Sequence, residues 1–322
     1  MKKLTVRFTA CLLAVFMTAQ SVSAVPLLIP VGQVVGLELE EGRVTIDGFD
    51  SQLGRTAQAA GLREGDRILT IDNTPIYCPQ DVKLALQRSD GDVDMTISRG
   101  KATKELELEP VITNEGPKLG IYLRQGISGI GTVTYYDPES KQFAALGHGV
   151  NGKDGELIAM TRGFAYDAIV DAVKMGKSGD PGQLIGTVTN KMPIATLSKN
   201  TTQGVFGKTA VPFRGDALPT ASVSEIRTGP ASIRSTIKNG TVQEYSVEIL
   251  KIYPHSSTDG RNMLLKVTDS RLLSATGGIV QGMSGSPIIQ SGKIVGAVTH
   301  VLVNDPTTGY GIFIENMLDA AA

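Results

Sequence analysis

The chain has 322 residues, enough for two domains of ordinary size, and 41% of them are apolar, enough for real cores. A net charge of −1 excludes the basic balance of a nucleic-acid-binding protein, so no nucleic-acid partner is expected. Abundant glycine (37 residues) and no tryptophan suit strands and turns better than helical bundles. Of the two cysteines, Cys11 falls in the leader. A processed chain keeps Cys78, which reads as a small packed hydrophobe, and has no internal disulfide.

In chain order, Lys2, Lys3 and Arg7 precede the apolar run Phe8–Ala19, and Ser21–Ala24 offers small residues to a signal peptidase. Residues 1–24 therefore read as a signal peptide or a temporary membrane anchor. A second apolar run, Val25–Val31, favours a tethered precursor that is later released.

Residues 30–112 are expected to form a first domain. The stretch Gly61–Ile76 resembles the signature of bacterial PDZ domains, with Gly65-Asp66 turning into a strand and Asp72-Asn73 closing a tight turn after it. Pro79–Arg88 reads as an amphipathic helix and Asp92–Ser98 as a strand. The resemblance implies peptide binding by strand addition, with N–H groups near Val35, Gly36 and Leu37 holding a terminal carboxylate. Residues 113–117, around Asn114-Glu115-Gly116-Pro117, read as a linker. From 118 to 322, short apolar runs alternate with Gly/Pro/Asn/Asp turns as in all-β barrels. The pair Gly131–Tyr136 and Gln142–Leu146 is expected as strands around the turn Asp137–Ser140. Tyr166–Met175 is expected as a helix that stops at Gly176.

Two motifs carry chemistry. Gly282-Met283-Ser284-Gly285-Ser286-Pro287 has the form G-x-S-G-x-P, which places Ser284 where a chymotrypsin-like protease keeps its nucleophile. The N–H groups of Gly282 and Ser284 can share one oxygen as an oxyanion hole, Gly285 allows close backbone approach, and Pro287 sets the exit into the strand Ile288–Gln290. His148, between small residues in Ala145–Gly149, is the expected base. His300 is the rival base, but it follows the nucleophile by one strand, and with Thr299 it is assigned to substrate binding. His255 reads as a surface residue. Histidine first and serine later matches a two-barrel protease and not an α/β-hydrolase, which also needs G-x-S-x-G. The three histidines have no metal-ligand spacing, so neither metal nor cofactor is expected.

The segments Gly129–Val150, Lys177–Gly186 and Val267–Leu318, with the PDZ-like stretch before them, resemble the stage IV sporulation protein B peptidase family. The resemblance implies a mainly β chain: an α+β PDZ domain followed by a chymotrypsin-like double β-barrel. It also implies a secreted serine endopeptidase of endospore formers that cleaves itself. Such an enzyme then cuts a membrane-associated regulator of an intramembrane protease, acting between forespore and mother cell. For the acid that orients the base, the resemblance points to Asp269, fifteen residues ahead of Ser284. The two-barrel pattern would place the acid earlier, among Asp167, Asp171, Asp180 and Asp216. A Ser284–His148 dyad with Asp269 in another role stays open. The competing class is a non-enzymatic PDZ adaptor on an inactive protease scaffold. Self-cleavage is expected in or near Val25–Gln33, with the chain's own N-terminal segment as substrate.

Overall fold

The structure is a computed structural model that describes residues 25–152, 155–238, 240–254 and 260–322. The expectations for the leader 1–24 and for His255 lie outside the described residues. Among those described, no helix is long and apolar enough to cross a membrane.

Two β-barrels form. In the second, the strands Gly229–Thr236, Val242–Ile252, Met263–Val267, Asp305–Phe313, Lys293–Leu302 and Pro287–Gln290 close on themselves in that order. Their residues alternate in burial, as a pleated strand with one wet face requires: Tyr245, Val247 and Ile249 point inward between exposed Glu244, Glu248 and Leu250. The first barrel is a ring of Val34–Phe49, Ile121–Tyr136, Gln142–Ala145, Gly204–Thr209, Ala195–Thr201 and Arg162–Lys174. It closes because Val34–Phe49 pairs with both Ile121–Tyr136 and Arg162–Lys174. Leu37, Leu39, Val133, Phe143, Ala165 and Val205 fill it. Between the barrels lies a third cluster of Leu28, Tyr135, Phe206, Ile312 and Met317, which includes the C-terminal helix Ile314–Ala321.

The domain boundaries differ from the expectation. The segment 27–40 belongs to the first barrel, and the α+β unit expected as the PDZ domain is an insertion within it. Val34–Phe49 and Ile121–Tyr136 leave the barrel side by side and continue into a separate core of Val44, Ile46, Ile68, Ile97, Val82 and Leu86. There Val34–Phe49 pairs with Arg67–Ile71, which pairs with Val93–Arg99, and the helix Pro79–Arg88 forms as expected. Cys78 is the N-cap residue of that helix and is only partly buried, because Asp81 accepts the Tyr77 and Cys78 N–H groups and holds the chain there. The expected linker is the turn of a hairpin, Val111–Thr113 with Gly116–Lys118.

Tyr166–Met175, expected as a helix, lies in the strand Arg162–Lys174 instead. Its local sequence suits a helix, but it pairs with Val35–Glu40 on one side and with Gln183–Val188 across a bulge. The β-branched Ile169, Val170 and Val173 fit that pleated surface, and tertiary pairing overrides the weak helical preference. The N-terminal run is also structural: Leu27–Pro30 is a strand paired on both sides, with Leu28, Ile29 and Val31 buried.

Candidate active site

The seam between the barrels opens into a cleft of about 560 Å³ that contains His148, Gly282, Ser284, Thr299 and His300. Its other walls are largely aliphatic, with Leu37, Leu39 and Ile130 from the first barrel facing Ile279, Val280 and Val301 from the second.

The loop Gly282–Ser286, expected to carry the nucleophile, is tied down at nearly every peptide. Gly282 and Gly285 have φ of +95° and +97°, conformations costly for other residues. A Cβ at 285 would sit 2.0 Å from the Thr132 carbonyl oxygen, so a side chain there has no room. Met283 N–H donates to Val280 (3.1 Å), Gly285 N–H to Val298 (2.7 Å) and Ser286 N–H to Met283 (2.9 Å). The N–H groups of Gly282 and Ser284 donate to no backbone carbonyl among the described residues, as an oxyanion hole requires. Ser286, the neighbouring serine, is fully buried and out of reach of a substrate.

The Ser284 hydroxyl donates to the Thr299 carbonyl at 2.7 Å. Its single proton is therefore on the main chain, and proton transfer to an imidazole requires rotation of the side chain. Thr299 Oγ1 donates inward to Gly260 O at 2.8 Å, and the residue is buried. The substrate-binding role expected for Thr299 thus does not fall to its side chain; its carbonyl engages the serine. His300 does line the cleft, its ring centroid 5.3 Å from that of His148.

His148 sits on a sharp turn after the strand Gln142–Ala145. Leu146 and Gly147 both have positive φ, +71° and +69°. For Leu146 this is a strained conformation held next to the reactive group. A Cβ at Gly149 would meet Leu157 at 2.3 Å and Thr201 O at 2.7 Å, so the small neighbours of His148 are required by packing. Nδ1 lies 2.9 Å from Gly149 O. A proton on Nδ1 satisfies that carbonyl and leaves Nε2 as the basic nitrogen. Burial pushes the imidazole below its usual 6.5, opposed in part by the Gly149 hydrogen bond, so neutral imidazole is favoured.

Asp269 is not the orienting acid in this arrangement. It caps the helix Ser270–Thr276, accepting the N–H groups of Arg271 (2.9 Å) and Leu272 (3.4 Å), and that of Ser246 (3.3 Å). The Arg271 guanidinium clasps both oxygens at 3.1 and 2.7 Å. The guanidinium first, and then these N–H groups, hold its carboxyl well below the usual carboxylate range. The other candidates are elsewhere too. Asp167 accepts from Gln33, Asp180 pairs with Lys174, and Asp171 and Asp216 are exposed. Among the described residues no carboxylate lines the cleft.

A family model described as SpoIVB peptidase S55 matches residues 115–318. The chain belongs to the SpoIVB peptidase S55 family. The match covers the segments that carry His148 and Ser284 and makes the chain a serine peptidase. No curated protein matches the chain. Solved structures similar to it include the Rv3671c protease in an inactive form, at 13% identity and a TM-score of 0.35, covering 60% of this chain and 82% of that one. They also include the active form of that protease from M. tuberculosis, at 15% identity and a TM-score of 0.35, covering 61% and 73%.

In this S55 chain the site also uses residues that no motif announces. Asn200 holds the histidine turn, accepting Val150 N–H at 2.9 Å and donating to the carbonyls of Val150 (2.9 Å) and Ile158 (3.0 Å). The second is Thr132. Both are ordinary polar residues within strands, and only their partners distinguish them. The expected carboxylate-binding residues Val35, Gly36 and Leu37 cannot serve that purpose. Each pairs on one side with Gly129–Gly131 and on the other with Ala165–Asp167, so neither edge is open.

Proposed function

We propose that the chain is an endopeptidase in which Ser284 attacks the scissile carbonyl, His148 takes the serine proton through Nε2, and the N–H groups of Gly282 and Ser284 receive the oxyanion. The observation that carries this reading is the shared cleft: one half-buried serine that lines it, one imidazole with its Nδ1 committed, and two undonated amides in the same loop. Rotation of Ser284 away from Thr299 O is the activating movement. The imidazole is oriented by Gly149 O and by the Asn200-anchored turn, so the pair works as a dyad. Opposed aliphatic walls favour an extended substrate with aliphatic side chains flanking the scissile bond.

The family supports a role in sporulation signalling: an exported, initially tethered enzyme that releases itself and then cuts a membrane-associated regulator between forespore and mother cell. Self-release within Val25–Gln33 conflicts with the buried strand Leu27–Pro30, so the proposed scissile bond lies on the N-terminal side of Leu27. For the inserted PDZ-like unit, the proposed peptide groove lies between the helix Pro79–Arg88 and the segment Leu119–Leu123. A cleft of about 470 Å³ opens there, and no strand among the described residues covers the outer edge of Ile121–Arg124. N-terminal sequencing of the full chain and of its Ser284→Ala variant, expressed in a sporulating host, tests self-release. Different N-termini are expected; identical ones would mean that another protease does all the processing.

A further inference from the structure

We infer that Thr132 is a positioning residue for catalysis, the group that sets the nucleophile loop of the second barrel against the histidine turn of the first. The inference rests on the assignment of Ser284 and His148 made above. Thr132 lies on Ile121–Tyr136, is fully buried, and does not line the cleft. Its three hydrogen-bonding groups all serve the site. The N–H donates to Ser284 O at 3.1 Å and the hydroxyl donates to Gly282 O at 2.7 Å. The carbonyl accepts Leu146 N–H at 3.2 Å, two residues before His148.

Peptide planarity turns these bonds into a constraint on catalysis. Holding Gly282 O fixes the Gly282–Met283 plane, whose N–H then reaches Val280. Holding Ser284 O fixes the Ser284–Gly285 plane, whose N–H reaches Val298. The amide between them, which carries Ser284 N–H, is bracketed by two planes that Thr132 anchors. Gly282 N–H lies just before the first of these planes. Without the hydroxyl, Gly282 O loses its side-chain donor and its plane is held only through the Met283 N–H, so both oxyanion donors lose their fixed aim. The same residue holds Leu146 N–H, so a shift of the serine loop is a shift relative to the base. Valine has the shape of threonine without the donor, and serine has the donor without the methyl; this pair of substitutions separates the hydrogen bond from the packing.

The test uses the full chain carrying Thr132→Val, Thr132→Ser or Ser284→Ala. Reactive sites are counted by fluorophosphonate titration, and turnover is measured on a quenched-fluorescent peptide with aliphatic residues around the scissile bond. Expressing kcat per titrated site removes any loss due to misfolded protein. Thr132→Val is expected to lower kcat per site on the order of 10- to 100-fold, with KM within about twofold, because oxyanion donors act in the transition state. Thr132→Ser is expected to recover most of that loss. A Thr132→Val enzyme within about threefold of wild type in kcat per site, a loss carried by KM, or a Thr132→Ser enzyme no better than valine would each overturn the inference. The Ser284→Ala arm stands apart: turnover there would refute the nucleophile assignment itself, whatever the Thr132 variants do.

Discussion

Replacing Asp269 with asparagine separates two accounts of the same residue. As a catalytic acid, its loss would misorient the base and lower kcat by roughly 10⁴, as in triad enzymes. As the structure places it, Asp269 closes the N-terminus of Ser270–Thr276 and is gripped by Arg271. Asparagine is itself a good N-cap and keeps one acceptor for the helix N–H groups, so that part of the loss is small. It loses the charge-assisted bonds to Arg271, and its NH₂ opposes the guanidinium. Arg271 is 62% exposed, so solvent screening keeps the ion pair itself weak. The remaining cost is the poorly satisfied carboxamide, and the total is about 1–2 kcal/mol. For a chain of this size that is a fall in melting temperature of roughly 2–8 °C. The carboxyl is held below its unfolded value, so its contribution is present above about pH 4 and is lost as pH falls through the folded value. Asp269→Asn therefore flattens the acid limb of a plot of stability against pH. Thermal melts across pH, with kcat per titrated site at neutral pH, make the comparison. A loss of turnover above about 100-fold with an unchanged melt would refute the capping account.

Four further outcomes follow from the same geometry. Burial holds the His148 imidazole below 6.5, so the acid limb of kcat/KM falls below that pH; a midpoint at or above 6.5 would count against His148 as the base. The unfolded chain binds that proton more readily, so this group also withdraws stability as pH falls below 6.5, visible as a loss in melting temperature that His148→Ala removes. Deleting Val25–Val31 removes Leu28, Ile29 and Val31 from two cores, at about 1.5–3 kcal/mol each, comparable in sum to a domain's whole stability; a soluble, cooperatively melting product would contradict the barrel role of this strand. In a peptide series, replacing the aliphatic residue before the scissile bond by Asp or Lys should lower kcat/KM at least 10-fold, and equal rates would show that the aliphatic walls do not select the substrate.

The parts of the fold legible in the sequence were those governed by local rules. The turn Asp137–Ser140 marked the strands on either side of it, and the glycines around Ser284 and His148 marked turns whose positive φ or tight contacts admit little else. What sequence reasoning missed depends on long-range pairing. Arg162–Lys174 has helix-like spacing but finds strand partners at Val35–Glu40 and Gln183–Val188. The PDZ-like unit looked like a leading domain because its own motif is contiguous, whereas the barrel strand that precedes it, Val34–Phe49, runs through both units. Asp269 was pointed to by family resemblance alone, against the two-barrel spacing; its place as a helix cap is revealed by Arg271 and Ser246. Thr132 and Asn200 carry no motif, since their role lies in carbonyls and amides far away in the chain.

The proposed nucleophile is Ser284, activated by His148. The most direct test is fluorophosphonate labelling of the full chain, with the modified residue located by peptide mass spectrometry in wild type, His148→Ala, Ser284→Ala and Ser286→Ala. Adduct is expected on Ser284 in wild type and in Ser286→Ala, at a rate lowered by orders of magnitude in His148→Ala, and not at all in Ser284→Ala. Adduct on another serine, or undiminished labelling in Ser284→Ala, would contradict this assignment.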